Sequence, residues 1–149
     1  MNSQSMDLLT FDVKFTDASC PLSLLIKVNG QTQQTVVPAT EPVMIEIPLQ
    51  DAVDRQQHHV EFVMLGKLPE HTKLDPLGNF VTDPLIIVNN FQLNQIPCDA
   101  AVWKSAVYAH DCNGSTAWEE HEFSGVMGCN GCVTFTIETP FLMWLLDNT

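Results

Sequence analysis

Apolar and polar positions alternate with a period of two along much of the chain. In "TFDVKFT", Phe11, Val13 and Phe15 fall on one face, and Asp12 and Lys14 on the other. "VMIEIPL" groups Val43, Ile45 and Ile47, "HVEFVML" groups Val60, Phe62 and Met64, and "CVTFTIET" sets Val133, Phe135 and Ile137 against threonines. Successive side chains of a strand point to opposite faces, so this pattern predicts strands with one buried face. Asn29-Gly30 and Asn130-Gly131 stand between β-rich runs. Both residue types enter the left-handed region that a two-residue turn needs, so two hairpins are expected. Prolines fall mostly at the edges of the apolar runs, where they remove no ladder hydrogen bond. No stretch keeps a helical period over three turns. "LQDAVDRQQHHV" could form a short helical turn, and "AVWKSAVYAH" reads as a strand. "FLMWLL", residues 141–146, is apolar on both faces and reads as a strand buried between layers or docked on another chain. About nine short strands with turn signals between them predict an all-β fold, an antiparallel β-sandwich of jelly-roll type, as one domain over residues 1–149.

Composition narrows the partners. The 149 residues include 18 Asp and Glu against 6 Lys and Arg, a formal net charge of -12. Phosphate binding needs clustered basic side chains, so nucleic acid and anionic membrane surfaces are not expected partners. Divalent cations, neutral sugars and basic proteins fit the charge. The longest apolar stretch is too short to span a bilayer. The opening "MNSQSMDLL" has neither a basic start nor a long apolar run, so no secretion signal is expected. Without one, the five cysteines are expected to be free thiols.

Three clusters carry candidate chemistry. "EHTKLDPLGNFVTD", residues 70–83, offers Glu70, Asp75, Asn79 and Asp83 as oxygen donors, with His71 beside them. Gly78 permits a tight fold of the backbone around an ion such as calcium, which takes six to eight oxygens. The competing reading is a solvated loop built on Asp-Pro and Gly-Asn turns. "DCNGSTAWEEHE", residues 111–122, places Asp111, Asn113, Ser115, Glu119 and Glu122 at calcium-loop spacing, but Thr116 stands where glycine is needed. His110, Cys112, His121, Cys129 and Cys132 lie close in sequence. They read as structural residues, as a zinc set using "CNGC", or as a redox pair. If Asn130-Gly131 is a hairpin turn, Cys129 and Cys132 merely flank it. Trp118, in a polar loop, is the best candidate for an exposed platform, whereas Trp103 and Tyr108 read as core. No nucleophile elbow, phosphate loop or zinc-protease motif is present.

The stretch "VEFVMLGKLPEHTKLDPLGNFVTDPLIIVNNFQLNQI" resembles the central part of calcium-dependent, xylan-binding-type carbohydrate-binding modules. In that family an acidic loop leads into a strand like the one from Asp83 to Ile96, and Asn94-Gln95 stands here in place of an Asn-Gly or Asp-Gly turn. This resemblance covers about a third of the chain. Most of the chain resembles small acidic virion-associated proteins of T4-like cyanobacterial phages, through "PEHTK-D--GN-V-D", the segment from His110 to Gly114, "GVMGCNG" and the "WLL" ending. Both resemblances imply a jelly roll, a calcium-linked loop and no catalytic activity.

The reading that follows is a non-catalytic binding module of a virion, calcium-linked through Glu70, Asp75, Asn79 and Asp83. Trp118, His71, Asp111 and Asn113 would contact host-surface glycans. The alternative is a structural virion protein, a decoration, fibre or adaptor subunit that binds other virion proteins, as a homo-oligomer or within a larger assembly. A small glycosidase or zinc hydrolase is the third reading.

Overall fold

The structure, a computed structural model, describes residues 6–148; residues 1–5, part of the opening segment read above for a secretion signal, and residue 149 lie outside it. The strands are β1 (Met6–Phe15), β2 (Ser23–Val28), β3 (Gln31–Val36), β4 (Val43–Gln50), β5 (Gln57–Leu65), β6 (Lys73–Leu74), β7 (Phe80–Thr82), β8 (Ile86–Leu93) and β9 (Ile96–Pro97). Helix α1 (Asp99–Ser105) then leads into β10 (Val107–His110), β11 (Glu119–Glu122), β12 (Val126–Met127) and β13 (Gly131–Glu138), and α2 (Phe141–Asp147) follows. One sheet runs β12-β8-β1-β4, with β9 beside β8, and the other runs β11-β10-β13-β5-β2-β3. β6 and β7 form a separate hairpin. The pairings are antiparallel, and the chain changes sheet repeatedly, in the manner of a jelly roll.

The predicted alternation builds the core. Leu9, Phe11, Val13 and Phe15 of β1 and Ile45, Ile47 and Leu49 of β4 are buried. They face Leu24, Ile26 and Val28 of β2, Val60, Phe62 and Met64 of β5, and Val133, Phe135 and Ile137 of β13. Strand β8 departs from strict alternation: Ile86 and Val88 point inward, Asn89 and Asn90 outward, and Phe91 and Leu93 inward again. A bulge opposite β1, with Asn90 at φ 60°, supplies the extra residue.

Asn29-Gly30 forms its hairpin turn between β2 and β3, at φ 51° and 82°. Asn130-Gly131 does not, because β12 and β13 belong to different sheets. That segment is a crossover, and the Asn130 side chain is engaged elsewhere. "FLMWLL" is helical rather than extended. Phe141, Trp144 and Leu145, spaced i, i+3 and i+4, are buried, while Leu142, Met143 and Leu146 are exposed. Two turns are too few to display a period, and with apolar residues on both sides the helix resembles a buried strand. Likewise "AVWKSAVYAH" divides into the end of α1 and β10. "LQDAVDRQQHHV" joins β4 to β5 without a helix. Among the described residues no helix is long and apolar enough to cross a membrane.

Phe62 is fully buried and touches Phe11, Phe91 and Phe135. Phe62→Ala is expected to cost about 3–5 kcal/mol in urea unfolding, through lost transfer energy and a residual cavity. Leu142→Ala, on the exposed side of α2, should stay within about 0.5 kcal/mol. Equal losses in the two variants would contradict this placement of the core.

Candidate functional site

Polar connections meet at one end of the sandwich: the excursion between β5 and β8, the β10–β11 loop, and the crossover before β13. Their hub is Lys67. Its side chain is 1% exposed, and its ammonium donates to Asp83 Oδ1 and to the Gly128 carbonyl, both at 2.6 Å. The Thr72 hydroxyl donates to the same carboxylate oxygen at 3.0 Å. Asn130 clips the Lys67 backbone, accepting its N–H at 2.9 Å and donating to its carbonyl at 2.7 Å. Asn113 Nδ2 reaches the Gly128 carbonyl from the other loop, at 3.5 Å. A buried ammonium is costly unless it is paired and hydrogen-bonded, and here it is both.

In this arrangement the residues read as calcium ligands have partners within the chain. Asp83 is paired with an ammonium. Asp75 closes the turn between β6 and β7: its Oδ1 accepts the N–H groups of Leu77 at 2.9 Å and Asn79 at 2.8 Å, and Asn79 Nδ2 lies 3.4 Å from Oδ2. Those bonds hold the Asp75 carboxyl below the usual range, with the Asn79 N–H as the largest cause. Glu70 is exposed in the 3-10 turn Pro69–His71, where His71 Nδ1 accepts the Leu68 N–H at 2.9 Å. Asp75 and Asn79 therefore meet, but Glu70, Asp75 and Asp83 do not converge on one point. Turn amides engage Asp75 Oδ1, and Lys67 and Thr72 engage Asp83 Oδ1.

The 111–122 segment is held by turn bonds of its own. Cys112, Asn113 and Gly114 all have positive φ. Asp111 Oδ1 accepts the Gly114 N–H at 3.0 Å, and the Asp111 carbonyl accepts those of Gly114 and Thr116. Glu119 and Glu122 then enter β11, where residues three apart face opposite sides. That divergence also removes them as an opposed glycosidase pair.

The same hairpin gathers the nitrogen and sulfur donors. In the β10–β11 register Tyr108 opposes His121 and His110 opposes Glu119, so Tyr108, His110 and His121 share a face. The two imidazoles stack with centroids 4.4 Å apart at 19°. Ligand atoms of His110, Cys112 and His121 all lie within 4.8 Å of one another. Burial, then the neighbouring His121, lowers the His110 pKa and favours its neutral ring. His110 Nδ1 accepts the Cys112 N–H at 3.0 Å. Gly131 lets β13 approach here, since a Cβ there would lie 2.4 Å from the Ala109 carbonyl oxygen and 2.8 Å from His110 Cβ. The Tyr108 hydroxyl donates to the Cys129 carbonyl and accepts the Cys129 N–H at 2.9 Å. Two polar atoms of this corner, His121 Nε2 and Asn113 Oδ1, are closed to solvent without a hydrogen-bond partner.

Cys129 and Cys132 are not joined to each other, so the redox-pair alternative is not formed. Cys132 donates to Glu61 Oε2 at 2.7 Å, and burial, then Glu61, pushes its thiol up to about 12. Burial, then Cys112, raises the Cys129 thiol. All five cysteines are free.

Beside β11, the edge strand of its sheet, lies an open cleft of about 630 Å³. Trp103 and Phe123 contribute its aromatic surface, and Lys104, Glu120, His121 and Glu122 its charged and polar groups. Trp103, expected in the core, is half-buried, with its ring edge-on to Phe91 and Phe123. Trp118 is 62% exposed just before β11. Sequence reasoning missed Lys67, Asn130 and the Glu120 face; only the pairing of β11 with β10 reveals that face.

Asp83→Ala is expected to cost about 2–4 kcal/mol by stranding the Lys67 ammonium, equally in calcium and in chelator. The double variant Lys67→Met/Asp83→Leu should recover most of that loss in thermal unfolding. A loss seen only with calcium present would instead make Asp83 an ion ligand. At Asp75 the folded carboxyl titrates below its unfolded value of about 3.9, so its stabilisation is complete above that value. It is lost as pH falls through the lower folded pKa. Amide exchange at Leu77 and Asn79 should accelerate over that interval, and in Asp75→Ala already at neutral pH.

No protein-family model and no curated protein sequence matches the chain. Among solved structures the chain is similar to vCBM60 in complex with galactobiose, at 16% identity over 86% of this chain and 96% of that one, with a TM-score of 0.47. It is also similar to the selenomethionine form of vCBM60, described in the context of two families of calcium-dependent carbohydrate binding modules. There the identity is 15%, over 87% of this chain and 89% of that one, with a TM-score of 0.46. Both are similarities of chain path at low identity.

Proposed function

We propose that the protein is a non-catalytic glycan-binding module whose recognition surface is the cleft beside β11 together with Trp118. The observation that carries this reading is the make-up of the cleft: the half-buried indole of Trp103, backed by the buried Phe123, next to the carboxylates of Glu120 and Glu122 and the ammonium of Lys104. A pyranose has an apolar C–H face and a rim of hydroxyls. Aromatic rings stack on the first, and carboxylates and ammonium groups hydrogen-bond the second. The open shape suits an extended, hydrated ligand. Glu120 and Glu122, two residues apart on one strand, stand on the same side of any bound sugar, which suits binding better than cleavage across a glycosidic bond. A virion surface, the setting implied by the phage resemblance, is the place we assign to the module.

A second reading, a protein-binding adaptor, is favoured by the β6–β7 hairpin. Leu77 at its tip is 87% exposed and Phe80 is 69% exposed, with Leu74 and Val81 also open to solvent. Such a group of large apolar side chains marks a contact surface.

Glycan arrays followed by calorimetry test the first reading. A bound oligosaccharide should lose about tenfold or more in affinity with Trp118→Ala or Glu120→Gln, a difference of about 1.4 kcal/mol. Binding that survives chelator assigns recognition to protein side chains. Binding lost in chelator and restored by calcium assigns the bridging ion that the family resemblance implies. A silent array, with capture of a particle protein that Phe80→Ser abolishes, would transfer recognition to the hairpin.

A further inference from the structure

We propose that His110, Cys112 and His121 form a site for one borderline-soft transition-metal ion, zinc(II) foremost, which fastens both ends of the β10–β11 loop. The donor set decides the class of ion. Two imidazoles and a thiol suit zinc and its first-row neighbours, whereas calcium requires oxygen. The geometry is close to assembled, with the three ligand atoms within 4.8 Å of one another. A tetrahedral zinc ion brings such atoms to about 3.3–3.8 Å, given bond lengths of about 2.0–2.3 Å. The remaining closure falls to side-chain rotation, since antiparallel pairing already sets His110 and His121 on one face.

The second, independent observation is the orphaned nitrogen. His121 Nε2 is shut off from solvent and has no hydrogen-bond partner. The nearest carboxylate oxygen, Glu119 Oε2, is 4.0 Å away, beyond hydrogen-bond reach. A buried lone pair or N–H without a partner is costly, and such a group in a folded protein calls for an explanation. A metal bond to this nitrogen removes the cost. His110 has a bond to give up: its Nδ1 lone pair is engaged by the Cys112 amide, and an ion that takes this nitrogen displaces the amide. The Cys112 thiol releases its proton to solvent on binding. Three protein ligands leave a fourth position for water or for an oxygen atom of a bound molecule.

The consequence is mechanical. His110 and Cys112 stand at the start of the loop and His121 lies just past its end, so one ion closes a ring that contains Trp118. The metal site shares His121 with the cleft of the glycan reading, but each is read by its own ligand.

The test is a cobalt(II) titration of the purified, chelator-treated chain. We expect a thiolate-to-cobalt charge-transfer band and visible bands of tetrahedral intensity, saturating at one equivalent. Zinc should bleach them, and excess calcium should leave them unchanged. Cys112→Ser should abolish the charge-transfer band. His121→Ala should weaken cobalt binding by at least about 100-fold, since loss of even an outer-shell partner of a metal ligand costs about 10–100-fold. If His121→Ala does not fold, as judged by circular dichroism, His121→Gln serves in its place. Cys132→Ser, whose thiol is bonded to Glu61, should keep the full spectrum. Absence of a charge-transfer band at one equivalent, or a band that survives Cys112→Ser, would overturn the proposal.

Discussion

Four phenylalanines hold the two sheets in register. Phe11 and Phe91 come from one sheet and Phe62 and Phe135 from the other, with centroids of contacting rings 4.9–6.2 Å apart. Rings at these separations interlock in tilted, edge-on and stacked contacts, which fixes how one sheet lies over the other. The cluster depends on a backbone irregularity. Continued alternation in β8 would send Asn90 inward and Phe91 outward. The bulge, with Asn90 in the left-handed region and its side-chain amide donating to Asp12 Oδ2 at 3.1 Å, reverses that phase. One extra residue thus decides whether an amide or a phenyl ring fills the centre.

From this cluster a line of aromatic contacts leads to the polar end. Phe91 packs edge-on against Trp103, Trp103 against Phe123, Phe123 against Tyr108, Tyr108 against His110, and His110 stacks on His121. The Tyr108 hydroxyl, bonded to both backbone groups of Cys129, ties the line to the crossover before β13. Interiors this closely packed leave little room for independent motion. The cleft beside β11 and the histidine pair therefore inherit their positions from the core. Long loops usually blur a site, but here His110 and His121 sit on paired strands, and only Cys112 and Trp118 belong to the loop between them.

The parts of this structure that were legible in the sequence are those set by a short period. Inward faces of β1, β4, β5 and β13 follow from alternation, and the β2–β3 turn follows from Asn29-Gly30. Illegible were features that depend on which strand becomes whose neighbour. Asn130-Gly131 has the same local chemistry as Asn29-Gly30, yet it crosses between sheets, because Met127 pairs with Ile86 and Gly131 with Met64 and His110. Helix α2 was hidden by its brevity. At the site, residue types drew attention to two loops, but not to the partners their carboxylates take within the chain. Lys67, a lone cation between apolar runs, gave no sign that it would be buried. The gathering of His110, Cys112 and His121 could be noticed in sequence, but only the β10–β11 register separates them from Cys129 and Cys132.

In the two acidic loops of this chain of net charge -12, carboxylates also have donors of the chain itself as partners. An ion binds where lone pairs converge and lack other partners, and a folded chain supplies many competing donors. At Asp75 the competitors are amides of its own turn, whose bonds cost no extra ordering once the hairpin exists. At Asp83 the competitor is an ammonium on the same chain, present at an effective concentration that no dissolved ion matches. Carboxylates in such positions contribute to the fold. Around His121 the balance runs the other way. The neighbouring strand supplies no donor or acceptor to Nε2, the nearest carboxylate is out of reach, and solvent is excluded. Binding free energy is greatest where folding has left polar atoms desolvated and unpaired, because the ligand then repays a cost already incurred. By that criterion the ion we propose belongs with the strand histidines, whereas the carboxylates of the oxygen-rich loop already have partners within the chain.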